Sequence, residues 1–160
     1  MKILVVYDSV YGNTEKIAKS ISDTITGEAR LLRFGEVNPS ELKTMDLFIV
    51  GSPTQGGRPT PAIREFLSKV PTPYLKGINV AAFDTRFSSK WVKIFGYAAG
   101  KIARNLERLR SILIVPPEGF FVESTKGPLK EGELQRAASW AKGIVKSKKQ
   151  FNNETSVAEK

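Results

Sequence analysis

Apolar residues fall in short runs, and between the runs they recur every three or four positions; the two patterns alternate along the whole chain. Lys2 to Tyr7 is the first run and predicts a strand. From Thr14 to about Ile25 the spacing places Ile17, Ala18, Ile21 and Ile25 on one helical face, with Gly27 as the expected C-cap. Arg30 to Phe34 predicts a short strand whose charge suits a sheet edge. Pro39-Ser40-Glu41-Leu42 opens a short helix, and Asp46 to Val50 follows as a buried strand. Thr60-Pro61 starts the next helix, with proline at a first-turn position where its missing N–H does no harm. Ile63, Phe66, Leu67 and Val70 form that helix's apolar stripe, and Pro71 and Pro73 end it. Ile78 to Phe83 predicts a fourth strand, and a helix from Gly96 or Tyr97 to Leu109 turns Ile102, Leu106 and Leu109 inward. Ser111 to Val115 predicts a fifth strand, which Pro116-Pro117 interrupts before Phe120 to Val122 resumes it. Glu131 to Val145 predicts the last helix. Beyond it, Lys146, Lys148, Lys149 and a polar run predict fraying, giving one domain over 1–148 and a polar tail over 149–160.

Strands alternating with helices imply an α/β fold, a parallel sheet with helices on both faces. Five strands fit a doubly wound sheet of order 2-1-3-4-5, whose ligand crevice lies outside the carboxyl ends of strands one, three and four. The loops richest in chemistry follow those three strands.

Composition narrows the chemistry. A chain of 160 residues with 41% hydrophobic content suffices for one domain with a full core. No apolar run approaches a bilayer span, and no charged-then-apolar leader precedes the first strand, so a cytoplasmic protein is expected. Cysteine and histidine are both missing, which removes disulfides, thiolate zinc sites, Cys-ligated clusters and imidazole acid–base chemistry. No metal site and no catalytic side chain is expected, and redox work would fall to an organic cofactor. The formal charge of +9 points to an acidic partner, a nucleic acid or an anionic membrane face, or to solubility alone. No aromatic-interleaved basic motif supports nucleic acid.

The most specific signal is the run Val5-Val6-Tyr7-Asp8-Ser9-Val10-Tyr11-Gly12-Asn13-Thr14. A strand ends in a turn of small polar residues and a helix starts at once, so backbone N–H groups, hydroxyls and the positive end of a helix dipole converge. The turn lacks a Walker lysine and the three glycines of a dinucleotide fingerprint, and suits a phosphate monoester held by neutral donors. Val5, Val6, Tyr7, Ser9, Gly12, Thr14, Ala18 and Ile21 fall at the spacing of the flavodoxin signature, and the chain resembles the short-chain flavodoxins.

The resemblance implies FMN as cofactor. It places the phosphate in the first loop, on the Ser9 and Thr14 hydroxyls and the backbone of Val10, Tyr11, Gly12 and Asn13, with Asp8 pointing away. The second loop, Gly51 to Pro59, would contribute Ser52, Pro53, Thr54, Gln55, Gly56 and Gly57. The Gln55–Gly56–Gly57 backbone would carry the peptide that turns over when flavin N5 gains a hydrogen. Many flavodoxins cover the inner ring face with a tryptophan in this loop; this chain has none there, which leaves part of the ring open. In the third loop, backbone groups of Asp84, Thr85 and Arg86 would read the pyrimidine edge, and Phe87 would stack on the ring, with Trp91 as rival. Arg86, Lys90, Lys93, Lys101, Arg104, Arg108 and Arg110 face a single acid, Glu107, over that stretch, a field that would favour the anionic reduced flavin.

These implications lead to an electron-transfer protein that shuttles single electrons between redox partners, one of them acidic. The alternative on the same fold is an FMN-dependent quinone or protoporphyrinogen reductase. A third reading is a binding module that has lost its flavin; a phosphoacceptor receiver is excluded, because Ile49-Val50-Gly51-Ser52 stands where that fold needs an aspartate.

Overall fold

The computed structural model describes residues 1–25, 28–88 and 96–158. Gly27, Lys90, Trp91 and Lys93, named above, lie outside the described residues. The elements alternate as the apolar pattern requires: β1 (Lys2–Tyr7), α1 (Asn13–Thr24), β2 (Glu28–Arg33), β3 (Leu47–Pro53), α2 (Pro61–Ser68), the single turn α3 (Thr72–Leu75), β4 (Asn79–Phe87), α4 (Ala98–Arg108), β5 (Ile112–Leu113), β6 (Glu118–Val122) and α5 (Glu133–Ala158). Short 3-10 turns at Phe34–Glu36 and Pro39–Thr44 join β2 to β3.

The sheet is parallel, in the order β2-β1-β3-β4-β5, with β6 also on β4. β5 and β6 are two halves of one outer strand. β5 lies against Asn79 and Val80, β6 lies against Phe83 to Phe87, and Pro116-Pro117 sits in the break. Alternation along the strands divides the core in two. Ile3, Val5, Ile49 and Phe83 point to the face covered by α1 and α5, where they meet Ile17, Ile21, Ala141 and Ile144. Leu4, Val6, Val50 and Ala82 point to the other, where α2 and α4 supply Ile63, Leu67, Ile102 and Leu106. The helix starts follow local chemistry: the Thr60 hydroxyl accepts the Ile63 N–H at 3.3 Å, with Pro61 just inside α2.

Two expectations change. β4 does not stop at Phe83; pairing with β6 carries it on to Phe87, so Asp84 to Phe87 belong to a strand rather than a loop. The polar segment expected to fray after Val145 is helical to Ala158. Its buried stripe continues from Ala137, Ala141 and Ile144 to Lys148, which keeps the helix packed for a further turn. Lys148 Nζ there donates to Asn152 Oδ1 at 3.1 Å.

The outer side of β6 is closed by its own connection. Phe121 donates its N–H to a Glu133 carboxylate oxygen at 2.7 Å, and its carbonyl accepts the Lys130 N–H at 2.9 Å. Glu133 also receives the Arg136 guanidinium at 2.7 Å. Burial raises the Glu133 pKa, but the Arg136 and Phe121 donors together hold it below the usual glutamate value.

The centre of the sheet is packed without slack at Gly51, where a Cβ would overlap the Phe83 ring. Gly51→Ala should therefore lower stability by about 1–3 kcal/mol, read as an earlier midpoint in urea unfolding. An unchanged midpoint would mean that the Phe83 ring yields freely.

Candidate functional site

The carboxyl ends of β1, β3 and β4 open into one crevice of about 330 Å³. Its first wall is the turn between β1 and α1: Ser9, Val10, Tyr11, Asn13 and Thr14 line it. Gly12, at φ 91°, does not line the crevice but allows the turn. Its N–H donates to the Ser9 hydroxyl at 3.0 Å. Among the described residues, the N–H groups of Val10, Tyr11, Asn13 and Thr14 meet no protein acceptor, as expected where a helix begins. The Asp8 carboxylate is turned back: it accepts the Ser9 N–H at 2.8 Å and the Arg33 guanidinium at 3.1 Å. Arg33 is thereby engaged away from the crevice. It also donates to the Ser9 carbonyl at 2.6 Å.

The second wall follows β3, where Pro53, Thr54, Gln55 and Gly56 line the crevice. Gln55 and Arg58 exchange two backbone hydrogen bonds, of 2.8 and 3.0 Å, around Gly56 and Gly57, whose φ values are 55° and 77°. Positive φ at both central positions defines a type I′ turn, which glycine adopts without strain. Gly57 itself lies behind the wall, its carbonyl accepting Lys101 Nζ at 2.7 Å. Ser52 is fully buried and builds the base of the loop. Its hydroxyl accepts the Thr60 N–H at 3.0 Å and donates to the Pro53 carbonyl at 2.9 Å.

The third wall is the extended end of β4, and strand alternation sorts it. Thr85 and Phe87 face the crevice, whereas Asp84 and Arg86 do not line it. Thr85 Oγ1 lies 2.7 Å from Thr14 Oγ1, joining two walls, and the Thr85 carbonyl accepts the Thr54 N–H at 2.9 Å, joining the third. Phe87 is 46% exposed, a ring with one face available.

Asp84, expected at the cofactor, is fully buried on the opposite side. It receives the Arg86 side chain at 2.7 and 2.8 Å and the Ala99 N–H, at the start of α4, at 2.9 Å. Arg86 in turn lies 3.5 Å over the Tyr97 ring. Burial pushes the Asp84 carboxyl above its ordinary value, against the pull of Arg86, the Ala99 N–H and Thr54.

Two lining residues have no counterpart in the sequence-based assignment, Val122 and Thr125. Val122 was legible in principle: it pairs with Phe87, so any strand reaching Phe87 brings it to the wall. Thr125 arrives with the turn after β6, which Asn13 holds by donating Nδ2 to the Lys126 carbonyl at 3.2 Å.

The flavodoxin family model matches residues 5–140. The chain belongs to the flavodoxin family. A flavodoxin from the domain Archaea superposes with a TM-score of 0.78 at 24% identity, over 93% of this chain and 99% of that one. Oxidised flavodoxin 2 from Bacillus cereus gives 0.76 at 24%, over 91% and 99%. The flavodiiron protein from Giardia intestinalis gives 0.73 at 20%, over 96% of this chain but 37% of that one. At these identities the likeness is one of fold. No curated protein matches significantly.

Flavodoxins bind FMN, and the crevice of this flavodoxin suits it. Unpaired N–H groups and neutral hydroxyls at the start of α1 suit a phosphate, and an exposed aromatic ring suits a flat heterocycle. Among the described residues no helix is long and apolar enough to cross a membrane, and no group of three potential metal ligands occurs.

The raised Asp84 pKa fixes a pH dependence. A carboxyl that binds its proton more tightly in the folded chain stabilises the fold fully below the ordinary aspartate range, and that contribution is lost as pH rises through the folded value. The stability of wild type minus that of the non-titrating Asp84→Asn variant should decline from about pH 3 to pH 8, followed by urea unfolding. An increase over that range would show that attraction to Arg86 outweighs burial.

Proposed function

We propose that this flavodoxin shuttles single electrons between redox partners through non-covalently bound FMN, with an acidic protein as one partner. One observation carries the reading: among the described residues lining the crevice, Tyr11 is the sole ionisable side chain. Such a wall binds and orients a cofactor but, among the described residues, offers a substrate no carboxylate, imidazole or amine as general acid or base. When bound, FMN supplies the redox chemistry, and the protein supplies position and electrostatics.

The Ser9 and Thr14 hydroxyls, with the free N–H groups of Val10, Tyr11 and Asn13, hold the phosphate. The dipoles are fixed in advance, so a dianion is held without a counter-cation in contact. Phe87 would stack on the ring, and Pro53 to Gly56 would border its other side. With glycine on both sides of it, the Gly56–Gly57 peptide can turn over to present either the Gly56 carbonyl or the Gly57 N–H to the cofactor. Thr85 braces the phosphate loop through Thr14 and the hairpin through Thr54, so both sides of the cofactor are referred to one strand.

The quinone-reductase reading keeps one point in its favour. No tryptophan stands in the second loop, so Gln55 and Gly56 leave that face of the ring accessible. Rapid oxidation of NAD(P)H or reduction of a quinone at enzymatic rates by the isolated protein would decide for it.

Two measurements test the carrier. Anaerobic dithionite titration of the FMN-loaded protein should resolve two separate one-electron steps by visible absorption; a single two-electron step would reject the carrier. Replacing both hydroxyls, Ser9→Ala with Thr14→Val, should remove about 1.5–3 kcal/mol per phosphate contact. The preference for FMN over riboflavin, read by flavin fluorescence quenching, should fall by roughly ten- to a hundredfold per contact. An undiminished preference would place the phosphate elsewhere.

A further inference from the structure

Behind the I′ hairpin lies a second depression, a groove of about 260 Å³. Arg58 of the hairpin, Arg64 of α2, and Lys101, Arg104 and Arg108 of α4 line it, and among the described residues no acidic one does. The three α4 cations recur at helical spacing and so form one stripe. Of the other described arginines, Arg30, Arg33, Arg86 and Arg136 each meet a carboxylate, as do Lys19 and Lys69. Among the described residues, Arg58, Arg64, Arg104 and Arg108 form no ion pair. Their mutual repulsion is felt locally: burial lowers the Lys101 pKa, and Arg58 and Arg104 lower it further. An anion settling in the groove relieves that repulsion.

The chemistry of the wall selects the anion. Besides its cations the groove's described lining is Pro59 and Asn105, and among the described residues no aromatic face is offered on which a nucleobase could stack. Guanidinium groups pair with carboxylates in bidentate fashion, and several spread across an open groove suit several carboxylates on one surface. The groove lies across the hairpin from the cofactor crevice. Gly56 lines the crevice, Arg58 lines the groove two residues later, and Lys101 Nζ grips the Gly57 carbonyl between them at 2.7 Å.

We propose that this groove docks an acidic segment of the redox partner, whose carboxylates settle on Arg58, Arg64, Arg104 and Arg108 and bring the partner's redox centre to the hairpin side of the FMN crevice. The proposal rests on the electron-carrier reading and adds the location and chemistry of the encounter. Docking of this kind speeds association and weakens as salt rises.

The test uses FMN-loaded protein and a fluorescently labelled hexaglutamate peptide, with binding followed by anisotropy. Wild type should bind the peptide at low salt and lose most of that binding at about 0.15 M salt. Arg104→Glu with Arg108→Glu, both exposed on α4, should weaken binding by about tenfold. Lys142→Glu with Lys149→Glu, on the exposed side of α5, alters net charge equally and should leave most of the affinity intact. Equal losses in the two double variants, or none in the first, would overturn the proposal. Displacement of the peptide by inorganic pyrophosphate at lower concentration than by unlabelled peptide would also overturn it, making the groove a phosphate site. The flavin absorption spectrum and thermal midpoint of each variant report folding and cofactor binding. The dithionite titration reports the carrier reading, so its failure is visible apart from that of the groove.

Discussion

The pairing of β6 with the last five residues of β4 organises the functional end of this molecule. Without a neighbour, a chain leaving the sheet at Phe83 would be an irregular loop, free to turn Asp84, Thr85, Arg86 and Phe87 in any direction. Held as a strand, those residues alternate. Thr85 and Phe87 reach the crevice, and Asp84 and Arg86 are committed to the side where α4 begins. One ladder thus builds the cofactor wall and buries an ion pair behind it. Thr85 extends that order by tying to Thr14 and Thr54, so the three loops are set by a single strand.

The distribution of charge follows the same economy. Asp8, at the turn after β1, is drawn back by Arg33, which leaves that wall of the crevice without a carboxylate. Asp84, deep beneath the crevice, is answered by Arg86 at hydrogen-bonding distance. On the far side of the hairpin Arg58, Arg64, Arg104 and Arg108 stand together. Cofactor binding and surface electrostatics are therefore handled by different residues, joined by one glycine turn.

Most of the fold was legible because its signals are local. Runs such as Ile3 to Val6 and stripes such as Ile17, Ala18 and Ile21 follow from the periods of strand and helix. The double proline marked the break in the outer strand. The turn after β1 was legible for a similar reason, since its residues are consecutive and its unpaired groups lie largely in the backbone. What escaped depends on partners distant in sequence. Nothing within Asp84 to Phe87 announces that Glu118 to Val122 will lie beside it, so the strand was ended early and the alternation of its last side chains was not foreseen. Nor does the sequence announce that the Ser52 hydroxyl is taken by Thr60, eight residues on. Thr125 carries no local mark at all. The helical continuation past Val145 was hidden because its inward position is a lysine, and a polar residue on a packed stripe reads as the end of the stripe.

The closed flank of β6 has a consequence for life in a crowded solution. A parallel sheet ends in two rows of unsatisfied peptide groups, and such rows recruit strands from other molecules. Here the outermost strand is cut into short pieces by prolines that cannot donate. The Phe121 N–H is already taken by Glu133, and its carbonyl by Lys130. At the opposite border, Arg30 and Arg33 of β2 are held by Glu41 and Asp8. The β6 flank offers no continuous template, so that border of the sheet is guarded against runaway β-addition.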